Sequence, residues 1–269
     1  MASKPKLSHV SPKKNLGQHF LRRKEIAQDI VNALEANPND TVIEVGAGTG
    51  ELTRMIVEKT KKVVAVELDK SCHLTLELLA DLNNNLELFF DDVRNLKLAN
   101  YAQCLVLGNL PYHLSGEILF WLLAQKQYWQ RAVLTVQAEF ANRLVAKVGS
   151  HDYSALSVIS QTFIRAKKLF DIPADAFVPP PKVKSTTVRL ETLPPSTTLP
   201  VSTTDRKYDE FVRFVKGCFT HRRKTLVNNL KRMDIDNPAK ILDKLGLAKN
   251  LRPQNLSPQD YAQLIAYIN

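Results

Sequence analysis

Asn109-Leu110-Pro111-Tyr112 combines an amide, a backbone carbonyl flanked by a rigid proline and an aromatic ring within four residues. Such a set suits a planar group bearing an amine: the oxygens accept its N–H bonds while the ring stacks on its plane. The tetrapeptide follows the apolar run Cys104 to Gly108, which reads as a buried strand, so it falls where a strand ends and a loop begins. Asn-x-Pro is also ordinary turn chemistry after a strand, and the rest of the chain must decide.

A second constellation lies upstream. Thr41 to Val45 is a β-branched run that stops at Gly46-Ala47-Gly48-Thr49-Gly50, and a helical pattern resumes over Glu51 to Lys59. Strand, glycine loop and helix in succession let a ligand approach the main chain without Cβ interference and offer it free helix amides. Val63 to Val66 reads as a second strand ending at Glu67, 17 residues past Gly50, where a carboxylate can accept both hydroxyl protons of a ribose. The spacing is G-x-G-x-G rather than the G-x-G-x-x-G of dinucleotide sites. With the flanking strands it indicates an adenosine-containing cofactor, while a nicotinamide-dependent dehydrogenase would also need a catalytic His or Tyr-Lys set. Leu86 to Phe90 reads as a third strand, and Asp91-Asp92 at its exit could accept from an adenine amine or cap a turn.

These groups need elements to hold them. Helical spacing is found over Arg22 to Ala36, Asp69 to Leu82, Ser115 to Gln125 and Ala138 to Lys147, with a fifth strand over Arg131 to Gln137. Strands alternating with helices predict an α/β fold on a mostly parallel sheet, with sites at the carboxyl ends of the strands. Ser157 to Leu169 and Val183 to Glu191 read as an antiparallel closing pair around Phe177-Val178-Pro179-Pro180-Pro181-Lys182, in which Phe177 is either a core residue or a second aromatic wall for a base. Leu193 to Thr204 is rich in Pro, Ser and Thr and marks a linker. Beyond it, Tyr208, Phe211, Val212, Val215 and Phe219 share one helical face, and Ser257-Pro258-Gln259-Asp260 is a capping box, so a small all-α C-terminal domain is expected.

The chain has 269 residues, a formal net charge of +10 and 44% hydrophobic residues, which supports a core and favours a polyanionic partner. From Asp205 onward there are 13 Lys or Arg against 7 Asp or Glu, a surplus of six, densest at Arg222-Arg223-Lys224. That triplet is either a solvated helix start or a set of phosphate contacts. Residues 1–14 carry Lys4, Lys6, Lys13 and Lys14 without an acid and read as a flexible basic arm. Cys72, Cys104 and Cys218 form no C-x-x-C pair, and the six histidines show no ligand spacing, so neither a disulfide framework nor a metal site is indicated. The longest apolar run, Ile118 to Ala124, is far short of the roughly 18 residues that span a bilayer. A reducing, cytoplasmic setting is expected.

Five separated segments together resemble one family, the ribosomal RNA adenine dimethyltransferases, in the bacterial KsgA type. They are Asn15-Leu16-Gly17-Gln18-His19-Phe20-Leu21, Glu44 to Gly50, Asn109 to Tyr112, Phe177 to Val183, and Phe219-Thr220-His221-Arg222-Arg223-Lys224-Thr225. The resemblance implies a Rossmann-like class I methyltransferase domain over 15–193, a linker over 194–204 and a helical RNA-binding domain over 205–269. It implies S-adenosylmethionine as cofactor and dimethylation of the exocyclic amines of two adjacent adenosines in a hairpin loop near the 3′ end of 16S rRNA, on the small ribosomal subunit, by a monomer. Carried over residue by residue, His19 and Leu21 would close over the cofactor, Gly46 and Gly48 would line its amino-acid end, Glu67 would hold the ribose and Asp92 the adenine amine. Asn109 would lie between cofactor and target, Leu110 and Pro111 would complete the amine site, and Tyr112 with Phe177 would stack on the base. Departures are His19 and His113, where Asn is usual, and Asp91, where Gly is common. The alternatives are an Erm-type enzyme acting on large-subunit rRNA and a noncatalytic ribosome assembly factor that kept the fold.

Overall fold

The computed structural model describes residues 10, 12–13, 17–101, 103–194 and 205–268. Most of the expected basic arm, Asn15 and Leu16, and positions 195–204 of the expected linker lie outside the described residues. The chain divides into two compact units, residues 1–141 with 167–191 and residues 142–166 with 192–269. Residues 142–166 therefore group with the C-terminal helices and not, as expected, with the sheet.

In chain order the first unit holds β1 (Phe20–Leu21), α1 (Lys24–Ala33), β2 (Thr41–Val45), α2 (Thr53–Ile56), β3 (Lys62–Val66), α3 (Lys70–Ala80) and β4 (Leu86–Phe89). It continues with β5 (Cys104–Asn109), α4 (Ser115–Ala124) and β6 (Trp129–Gln137). The chain then runs through α5 (Ala138–Leu144), α6 (Ala155–Phe163), β7 (Ile164–Ile172), β8 (Phe177–Val178) and β9 (Ser185–Thr192). One sheet has the order β4-β3-β2-β5-β6-β9-β7. The pairs β4/β3, β3/β2, β2/β5 and β5/β6 are parallel, and β6/β9 is antiparallel.

The central strands are covered on both faces, which is why Val42, Ile43, Val63, Val64, Val106 and Leu107 form unbroken apolar runs rather than alternating with polar residues. At position 108 the backbones of β5 and β2 come so close that a Cβ would stand 2.8 Å from the Val45 carbonyl oxygen, and glycine relieves the conflict. That close approach brings the end of β5, and Asn109 with it, beside the glycine loop that follows β2.

The second unit contains α6, α7 (Asp205–Cys218), α8 (Leu226–Lys231), α9 (Pro238–Lys244) and α10 (Pro258–Ile268). Residues 157–163, read from sequence as the start of a strand, are helical. Their β-branched and aromatic content, Val158, Ile159, Thr162 and Phe163, goes instead to burial, and Ser154 with Ser157 forms a capping box that starts the helix. Phe163 meets Phe211 edge-on with ring centroids 5.8 Å apart and tilts against Tyr208 at 5.6 Å. The predicted face of α7 is buried at Tyr208, Phe211, Val212 and Val215. At α10 the Ser257 amide donates to Asp260 Oδ2 (2.7 Å) and the Asp260 amide donates to Ser257 Oγ (3.2 Å), the reciprocal bonds of a capping box. No helix among the described residues is long and apolar enough to cross a membrane.

Candidate active site

An open cleft of about 1110 Å³, mouth included, lies at the carboxyl ends of β2, β3, β4 and β5 and is lined by both sequence constellations. Among its walls are Gly46, Gly48, Glu67, Asp92, Asn109 and Tyr112. His19, Leu21, Leu110 and Pro111 line it too.

Glu67 is held through both oxygens. The Gly48 amide donates to Oε2 and the Asp69 amide to Oε1, each at 2.7 Å, so the carboxylate is fixed while each oxygen keeps a second lone pair for a ligand hydroxyl. Burial pushes its carboxyl above the usual range, and the two amide bonds counter that push. Gly48 has φ +57°, and a Cβ there would lie 3.1 Å from the Phe20 ring, so glycine serves both the backbone conformation and the narrowness of the loop.

Asp92 borders the cleft but is also a cap. Its Oδ1 accepts from the Arg94 amide (2.9 Å) and from Arg94 Nε (2.9 Å), and Oδ2 accepts from Arg94 Nη2 (2.6 Å). The Arg94 guanidinium holds the Asp92 carboxyl below its ordinary range. Of the two readings weighed above, capping is the one observed, and it leaves Oδ2 with a lone pair free to accept. Arg94 is itself paired with Glu117.

At the end of β5, Asn109 Nδ2 donates to the His19 carbonyl (2.9 Å), which turns the amide so that Oδ1 is the end left to accept. The Leu110 amide donates to the Thr135 carbonyl (3.1 Å), and Pro111 holds φ −57° and ψ 125°, fixing the main chain that carries the Leu110 carbonyl. Tyr112 hydrogen-bonds Ser185 through its hydroxyl. Burial raises its phenol, the Ser185 bond opposing that shift, so the ring is neutral near pH 7.

Phe177 is not placed as a wall of this cleft. It is 1% exposed and belongs to the core, because β8 pairs with β1 and the Leu21–Phe177 pair points inward together. Of the basic triplet, Arg222 is also turned inward: its Nη2 donates to the carbonyls of His151 (2.5 Å) and Ser150 (3.2 Å). Arg223 and Lys224 are exposed.

Three parts of the site escape sequence reasoning. Asp69 accepts from Lys13 Nζ (2.6 Å) and Gln18 Nε2 (2.7 Å), tying the chain before β1 to the start of α3. Glu44, fully buried beneath the glycine loop, accepts from the Thr53 hydroxyl (2.6 Å), and burial pushes its carboxyl up to about 8. Ser185 reaches Tyr112 across 73 positions of sequence, a pairing that carries no local signal. Glu44 alone had one, as an acid two residues before the glycine loop.

The residues fit S-adenosylmethionine: a loop free of side chains, an anchored carboxylate for two hydroxyls and a second carboxylate further along the same cleft. A parallel sheet closed by one antiparallel strand, with that loop after β2 and that acid after β3, defines a class I S-adenosylmethionine-dependent methyltransferase. The family described as Ribosomal RNA adenine dimethylase matches residues 10–269, and the chain belongs to it. Proteins named Ribosomal RNA small subunit methyltransferase A are similar to it. That of Mesomycoplasma hyopneumoniae is 36% identical, over 94% of this chain and 95% of the relative. That of Thermotoga maritima is 38% identical, over 82% and 75%. A dimethyladenosine transferase from Plasmodium falciparum superposes with a TM-score of 0.80 at 26% identity, covering 92% of this chain and 96% of that one. The 23S rRNA methyltransferase ErmE shares the fold, with a TM-score of 0.67 at 22% identity.

Proposed function

We propose that this adenine dimethyltransferase acts on the small ribosomal subunit, adding two methyl groups to the exocyclic amine of each of two adjacent adenosines in a hairpin loop near the 3′ end of 16S rRNA. The observation that carries the reading is that Asn109, Leu110 and Tyr112 line the same cleft as the glycine loop and Glu67, with Asn109 Nδ2 committed to the His19 carbonyl so that Oδ1 is left to accept. The similarity to small-subunit methyltransferases over nearly the whole chain supports the choice of subunit.

When bound, S-adenosylmethionine supplies an already electrophilic methyl group. The difficulty lies in the nucleophile, since an aromatic amine delocalises its lone pair into the ring. Asn109 Oδ1 and the Leu110 carbonyl accept the two N–H bonds, favouring a tetrahedral nitrogen whose lone pair is localised. Tyr112 stacks on the flipped base. The nitrogen is cationic once it takes the methyl and gives one proton to solvent, so one N–H remains and the second round relies on one acceptor. Gly46 and Gly48 would line the amino-acid end of the cofactor, Glu67 would hold its ribose and Asp92 its adenine amine, with His19 and Leu21 closing over it.

The test is mass mapping of methylated adenosines after incubating unmethylated small subunits with enzyme and cofactor. Two adjacent N6,N6-dimethyladenosines are expected in 16S rRNA. Product confined to large-subunit RNA, or none on either subunit, would overturn the reading.

A further inference from the structure

Asp92, the acid that follows β4, does not stand alone. It opens a tight turn over Val93–Asn95, closed by the Asn95 amide on the Asp92 carbonyl (2.9 Å), with Val93 buried beneath. The turn brings residue 94 back over residue 92. Arg94 meets the Asp92 carboxylate three times, through its amide and Nε on Oδ1 (2.9 Å each) and through Nη2 on Oδ2 (2.6 Å). A planar guanidinium that engages both oxygens fixes the orientation of a carboxylate as a point charge cannot. Oδ1 is then fully used, and Oδ2 keeps one lone pair.

The guanidinium is aimed from a second direction by α4. Glu117, Trp121 and, just past the helix end, Gln125 recur at a spacing of four residues, which places them along one helical face. Glu117 pairs with Arg94 Nη1, and Trp121 Nε1 donates to the Leu96 carbonyl (3.2 Å). Gln125 donates to that same carbonyl (3.4 Å) and accepts from the Leu98 amide (2.8 Å). The helix that starts three residues past Tyr112 therefore also braces the turn at Asp92. Arg94 is the one Lys or Arg among the described residues that line the cleft, whose carboxyls include Glu51, Glu67, Asp91 and Glu117.

We propose that Arg94 is a positioning residue for the cofactor's adenine: its fork, braced by Glu117, aligns the Asp92 carboxylate so that the lone pair left on Oδ2 meets the 6-amino group. Arg94 acts through Asp92 and not on the cofactor itself. The same hydrogen bonds hold the Asp92 carboxyl below its ordinary range, so the acceptor is charged as well as aimed. The inference rests on the proposed function, which gives the adenine amine to Asp92, and adds to it a residue that function did not include.

Calorimetry with S-adenosylhomocysteine and with its purine analogue, in which hydrogen replaces the 6-amino group, isolates the adenine contact on the intact protein. Wild type is expected to prefer the amino ligand by about tenfold, the worth of one hydrogen bond to a charged group. Arg94→Ala should cut that preference to about threefold by weakening the amino ligand, leaving affinity for the analogue within about twofold of wild type. The variant keeps the residue-94 amide that Asp92 caps, and the Trp121 and Gln125 bonds still hold the turn. Arg94→Lys, which returns a charge without the fork, should recover only part of the loss. The proposal is overturned if Arg94→Ala keeps the wild-type preference, if both ligands weaken by the same factor, or if Arg94→Lys restores the preference in full. A wild type without preference, or an Asp92→Ala variant that retains it, would instead refute the adenine contact that the proposed function gives Asp92, and this inference with it.

Discussion

At Asn109 one hydrogen bond decides which end of the amide faces a substrate. Because Nδ2 is committed to the His19 carbonyl, Oδ1 is left to accept, and Asn109→Ala deletes an acceptor used most fully as the nitrogen becomes tetrahedral. We expect kcat to fall on the order of 10²-fold, with cofactor affinity nearly unchanged, in single-turnover methylation of small subunits. In the proposed function Glu67 acts earlier, in binding. Its raised pKa means that it takes up a proton at a higher pH than an ordinary carboxyl, and the protonated form loses part of its capacity to accept two hydroxyls. Affinity for S-adenosylmethionine should therefore decline on acidification from neutral pH toward 5. Glu67→Gln should weaken binding about tenfold and flatten that decline, both measurable by calorimetry.

Elements differ in how openly the sequence declares them. The glycine loop and the strand-end tetrapeptide were legible because their chemistry is local: a β-branched run, then residues whose backbone or side chain a ligand can reach. The strap before β1 was not, since Lys13 and Gln18 meet Asp69 only through a contact spanning more than 50 positions. Residues 157–163 misled for the opposite reason, as a strand-like composition was overridden by a capping box and burial against α7. Phe177 likewise had two readings that only the β1/β8 register could separate. Asp69 gives the strap its own prediction. Burial pushes the Asp69 carboxyl up, but the Lys13 ammonium, the Ser71 amide and the Gln18 amide together hold it at about 2. A depressed carboxyl contributes stability above its unfolded pKa and loses it as pH falls through the folded value. Asp69→Ala should thus cost about 1–2 kcal/mol at pH 7, allowing for the partial exposure of Lys13, and the deficit should shrink as pH falls from 5 toward 2. Thermal denaturation across that range checks the sign. A deficit that grows on acidification would rule out the tie.

Cations of this basic chain are divided between those tied into internal bonds and those left exposed, and the basic triplet shows the division residue by residue. Arg222 spends its guanidinium on the Ser150 and His151 carbonyls, bonds within the helical unit, while Arg223 and Lys224 are exposed. The loop that presents them is held by Asn229, 1% exposed, whose Oδ1 accepts from the His221 amide (3.2 Å) and whose Nδ2 donates to the carbonyls of His221 (3.2 Å) and Thr225 (3.0 Å). Cations that neutralise phosphates release condensed counterions, so their removal shows as a shallower dependence of affinity on salt. Arg223→Ala combined with Lys224→Ala should weaken small-subunit binding and reduce the slope of log affinity against log salt by about 1.5, with thermal stability nearly unchanged. Arg222→Ala should do the reverse, lowering stability by about 1 kcal/mol as the Ser150 and His151 carbonyls lose a charged donor, with little change in slope. Filter binding at several salt concentrations, paired with thermal denaturation of each variant, measures both quantities. Equal slopes for wild type and the double variant would place the RNA-facing charge elsewhere in the chain.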